Sequence, residues 1–110
     1  MTASGAQGPA LVWCPFPDAA AATEIAETLL DEALIACANI GGPMRSLFSW
    51  NSERGEAEEV GVLFKTDAAR LEALVARLGE LHPYDCPAIL GWHCDSAHPA
   101  TRQWLATLVS

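Results

Sequence analysis

Two extended runs, Cys37–Trp50 and residues 58–66, stand back to back in this 110-residue chain, each with an amphipathic helical pattern on its outer side. In the second run Val60, Val62 and Phe64 alternate to one side, the period of a strand with one buried face. The first run is broken by Gly41-Gly42-Pro43. Proline has no N–H for a ladder, so the break predicts a bulge or an edge position. Residues 51–56 are turn-rich and polar, which joins the two runs into one long hairpin. A hairpin of this length cannot stand alone in water and must be packed on something.

The flanking segments supply the packing. In residues 19–36, Ala22, Ile25, Ala26, Leu29, Leu30, Ala33 and Leu34 share one helical face, and Glu24, Glu27, Asp31 and Glu32 lie opposite. Asp18 is placed to cap this helix. Asp67 can cap a second helix whose stripe is Leu71, Leu74, Val75, Leu78 and Leu81. Pro83 stops it, because proline disfavours helical geometry in the residue before it. The apolar run of residues 10–14, ended by Pro15 and Pro17, and residues 87–94 with Ile89, Leu90 and Trp92 read as first and last strands. Ser96 and Pro99 open a short final helix with Trp104, Leu105, Leu108 and Val109 on its apolar side. The order predicts an α+β chain: a ferredoxin-like βαββαβ sandwich with a long central hairpin and an extra C-terminal helix. Residues 10–110 form the single domain, and residues 1–9 a frayed tail.

Helices on one face leave the other bare, and the hairpin carries Leu47, Phe48 and Trp50. Self-association in a closed cyclic form is the expected remedy. With 6 basic against 14 acidic residues the net charge is −8. That balance disfavours nucleic acid and anionic membrane surfaces as partners. No apolar run is long enough to insert into a membrane. The tail lacks the layout of a signal peptide, so a cytoplasmic location is expected. Cys14, Cys37, Cys86 and Cys94 are widely spaced, as free thiols in a reducing compartment would be.

No G-x-S-x-G, P-loop, H-E-x-x-H or G-x-G-x-x-G signature is present, and the reading is of a non-enzyme. The acidic residues Glu53, Glu56, Glu58 and Glu59 read as a solvated stretch that protects a strand edge. His93, Cys94 and His98 group by accident, since neighbours on a strand point to opposite faces.

Several segments together resemble the CutA divalent-cation-tolerance family. They are Leu29-Leu30, the run from Ile35 through Cys37 to Ile40, Ser46, Trp50, Lys65-Thr66, Trp104-Leu105 and, most specific, His82-Pro83-Tyr84-Asp85-Cys86-Pro87. Phe48 and Ala88 stand where that family commonly has tyrosine and glutamate. The resemblance implies a homotrimer built through the hairpins and a role in tolerance of divalent metal ions. It places a metal site at Cys14, Glu59 and His82, a thiolate–carboxylate–imidazole set suited to Cu(II) or another divalent cation, with no obligatory cofactor. It places Lys65, Tyr84 and Trp50 at a cleft between subunits. Each metal residue also has a plain structural role: Cys14 as a buried small side chain, His82 as a cap on its own helix, Glu59 as a solvated hairpin residue. The alternative from another class is a trimeric small-molecule sensor like the PII nitrogen-regulatory proteins.

Overall fold

A computed structural model describes residues 8–108. The elements run β1 (Pro9–Phe16), α1 (Ala19–Asp31), β2 (Cys37–Trp50), β3 (Glu53–Asp67), α2 (Leu71–Leu81), β4 (Leu90–His93) and α3 (Pro99–Ala106). The four strands form one antiparallel sheet in the order β2-β3-β1-β4. This is the ferredoxin-like arrangement, in which β3 lies between β1 and β2 and splits the first strand–helix–strand unit. Residues 1–7 of the expected tail lie outside the described residues. Pro9 already belongs to β1, and its carbonyl accepts from the Cys94 amide at 3.0 Å.

Alternation along β1 sends Ala10, Val12, Cys14 and Phe16 into the core. Val60, Val62 and Phe64 of β3 join them, as do Ala22, Ile25, Ala26 and Leu29 of α1 and Leu71, Leu74 and Leu78 of α2. Most of the helical stripes expected from the 3- and 4-residue spacing are buried; Leu30 and Ala33, expected on the same face of α1, are exposed instead, because the helix ends and turns there. The intervening positions of β1 and β4 leave Trp13, Leu90 and Trp92 exposed on the face opposite the core.

Asp18 caps α1, its carboxylate accepting from the Ala21 amide at 2.8 Å. The helix ends at Asp31, five residues before the expected end. Ala33 takes the left-handed conformation (φ 58°), and the Ala33 and Leu34 amides donate back to the Leu30 and Leu29 carbonyls, both at 3.0 Å. That is a Schellman close with alanine where glycine is usual, so the apolar pattern continues past a helix that has already turned. Ala33→Gly removes the strain of a Cβ at positive φ, and a net gain of about 0.5–1 kcal/mol is expected after the entropy glycine adds to the unfolded chain. Thermal or urea unfolding of the variant checks it; an unchanged or lowered midpoint refutes it.

The hairpin link is shorter than its composition suggests. Only Asn51 and Ser52 form it, with φ of 57° and 65°, the pair of left-handed residues that suits the twist of two paired strands. β3 accordingly starts at Glu53, five residues before the expected start. The acidic stretch is strand, with Arg45 reaching diagonally to Glu56 at 2.6 Å. The break at Gly41-Gly42-Pro43 is a register shift between Ile40 and Pro43.

At the other edge β4 has four residues where eight were expected. Pro87 has no N–H to offer, and pairing with β1 begins only at Leu90 opposite Trp13. Asp67 caps a single 3₁₀ turn, Ala68–Arg70, that leads into α2. Arg70 donates to the carbonyls of Ala33 and Leu108, tying the end of α1 to the end of the described chain. α3 is capped by His98, whose Nδ1 accepts from the Ala100 amide at 3.0 Å, in place of the expected Ser96. Val109, expected on the apolar side of α3, lies outside the described residues.

Candidate functional site

α2 stops at Leu81 and the backbone of His82 is extended, as Pro83 requires. This turns the His82 ring under the end of β1. The ring is 7% exposed and stacks on Phe16 with centroids 4.7 Å apart. Tyr84 covers it from another side, also at 4.7 Å. His82 Nδ1 accepts from the Tyr84 amide at 3.1 Å, so the proton sits on Nε2, which donates to the Pro15 carbonyl at 2.9 Å. Tyr84 Oη donates to Glu59 Oε2 at 2.8 Å. Burial first, and then that bond and the Glu59 charge, push the phenol up to about 12. The chain Pro15–His82–Tyr84–Glu59 thus joins β1, the loop after α2 and β3 in one hydrogen-bonded path.

Cys14 lies just behind this path. Its side chain is fully buried, and burial followed by the Glu59 charge pushes its thiol up to about 12. It is therefore a neutral thiol, directed at the Pro15 carbonyl at 3.5 Å.

The three expected metal residues are neighbours, yet they do not form a ready coordination set. The thiol keeps its proton, both imidazole nitrogens are engaged, and one Glu59 oxygen holds Tyr84. Among the described residues no three His, Cys, Asp or Glu side chains are grouped to hold an ion. The physical reason is the alternation of β1, which puts Cys14 on the core side with Val12 and Phe16. His82 does not cap its helix with its ring either; its side chain spans to a carbonyl 67 residues away in sequence.

A trough of about 720 Å³ opens beside this path, between the hairpin and the loop after α2. Phe48, Trp50 and Tyr84 line it together with Ala57, Glu59 and Asp85. Two of the three expected cleft residues, Trp50 and Tyr84, therefore meet within one chain. Lys65 does not; it sits farther along β3, opposite Leu11 of β1 and Cys37 of β2. Sequence reading missed Ala57 as a wall. The signal was present: Ser46, Phe48 and Trp50 share a face by alternation, and Ala57 pairs with Ser46.

The sequence model of the CutA1 divalent ion tolerance protein matches residues 10–107. The chain belongs to the CutA1 family. The divalent-cation tolerance protein CutA of Pyrococcus horikoshii is 40% identical over 95 residues, which is 86% of this chain and 92% of that protein. The crystal structure of CutA1 from the same organism superposes with a TM-score of 0.84 at 37% identity, covering 92% of this chain and 98% of that one. CutA1 from Ehrlichia chaffeensis gives a TM-score of 0.88 at 28% identity, covering 94% and 97%. These CutA1 structures share the ferredoxin-like sandwich. The sensor alternative gains nothing from these relatives, and a two-residue hairpin link leaves no room for an effector-binding loop. No helix among the described residues is long and apolar enough to cross a membrane.

Proposed function

We propose that this CutA1 family member is a non-enzymatic homotrimer acting in cytoplasmic tolerance of divalent metal ions. The observation that carries the assembly is the bare hairpin: Leu47 is 70% exposed, Trp50 57% and Phe48 45% in a single copy. Trp13, Leu90 and Trp92 extend the uncovered surface across the sheet. Monomeric proteins rarely leave so many large apolar side chains in water on one small domain. Three copies wrapping their hairpins would cover it and close the ring without leaving an edge. Lys65 would then reach the cleft from a neighbouring copy. The four free cysteines fit a reducing compartment.

Metal contact in this reading centres on Cys14, Glu59 and His82 and is weak, because an ion must displace the thiol proton and one partner of the imidazole. Affinity for Zn(II) or Cu(II) should therefore climb with pH, by roughly tenfold per pH unit while the thiol still holds its proton. Calorimetric titration between about pH 6 and pH 8 reads this slope. Cys14→Ala with His82→Ala, confirmed folded by circular dichroism, should abolish uptake. Metal binding that survives the double substitution, or that ignores pH, removes these residues as ligands.

A further inference from the structure

We propose that the trough between the hairpin and the loop after α2 binds an organic cation, an ammonium or guanidinium group carried on an apolar body. Its volume of about 720 Å³ is that of a small-molecule site. Three aromatic side chains, Phe48, Trp50 and Tyr84, form its walls, and the two charged residues that line it, Glu59 and Asp85, are both acidic. An anion would face two carboxylates. A neutral ligand would bury Glu59 without an ionic partner, which costs free energy.

Glu59 is prepared for such a ligand. The Tyr84 hydroxyl fixes one carboxylate oxygen at 2.8 Å, and no described protein donor takes the other. An N–H of the ligand can complete it, while the π-faces of the walls attract the same positive charge. A bare divalent ion is a poorer match for the trough itself. Hard ions such as Ca²⁺ and Mg²⁺ want six or more oxygens, and the Phe48 and Trp50 walls provide none. The net charge of −8 raises the local concentration of any cation. Phe48 and Trp50 also belong to the proposed interface; to that extent the inference rests on the assembly.

The test is calorimetric titration of the full chain near neutral pH with 2-phenylethylammonium, and with 3-phenylpropionate as the anion of matching shape. Light scattering on the same sample reads the assembly separately. The expected result is saturable binding of the amine, one per chain, and none of the anion. Glu59→Gln should weaken the amine roughly tenfold or more. Ala88→Phe, at an exposed position on the trough, fills the space while keeping the carboxylate, and should abolish binding. Equal uptake of both probes, or a Glu59→Gln protein that binds like the parent, overturns the proposal. So does a trimer that takes up neither probe, since the neighbouring copy then fills the trough. Amine binding by a lone chain would uphold the site and sink the trimer.

Discussion

Trp50→Ala is expected to weaken each interface of the assembly roughly 30-fold, a loss on the order of 2 kcal/mol per interface. Trp50 ends β2 and pairs with Glu53 next to the turn, far from the buried core. In one copy it is 57% exposed and contributes little to that chain's own fold. A large, rigid aromatic with few torsions to freeze is the type of residue that dominates interfaces when buried by a partner. Because each copy contributes one Trp50, the substitution acts at every interface of a ring at once. Light scattering over a dilution series should show the parent at three times the 11.7 kDa chain mass and the variant falling toward a single chain. Far-UV circular dichroism should stay unchanged. A Trp50→Ala protein that dissociates over the same range as the parent would remove the hairpin as the interface.

Phe16→Ala should cost about 3–5 kcal/mol of folding free energy. The ring is fully buried, meets Phe64 edge-on at 6.2 Å and stacks on His82 at 4.7 Å. Truncation leaves a cavity between the sheet and the loop after α2. It also frees one face of His82, loosening the path from Pro15 to Glu59. Such a loss is a large share of the ~5–15 kcal/mol typical of a whole domain. Urea unfolding should show a lower midpoint with an unchanged slope, and the 2-phenylethylammonium probe should bind more weakly. A stability loss under about 1 kcal/mol would mean the site collapses around the missing ring, and that His82 is held by its hydrogen bonds alone.

The layout of the fold was legible because its signals are local. Ala22, Ile25, Ala26 and Leu29 share a helical face, and Val60, Val62 and Phe64 alternate, so element type and order follow from spacing. Ends were harder to read, for reasons that lie in backbone geometry. Ala33 and Ser52 adopt left-handed conformations that neither residue advertises, unlike the glycine or Asn-Gly pair that usually marks them. Glu53 to Glu56 looked like a loop because charged residues are scarce in strands, yet pairing with residues 47 to 50 outweighs that preference.

The site was half visible. The His82-Pro83-Tyr84 segment stands out, but what it does depends on Pro15 and Glu59, which only the folded chain brings near. Cys14 lies inside, as its reading as a buried small side chain expects, because the strand period of β1 puts it there with its thiol shielded from solvent. No local pattern announces that both nitrogens of His82 are already occupied.

The two-residue link at Asn51-Ser52 leaves the finger it closes no slack. Because successive side chains point to opposite sides, one added or deleted residue within either arm would swing Phe48 and Trp50 over to the reverse surface. Beyond the register shift already present between Ile40 and Pro43, length changes that keep this face come in pairs of residues matched across both arms. Adding or removing two residues in each arm changes the reach of this finger while keeping its aromatic side turned to the same neighbour.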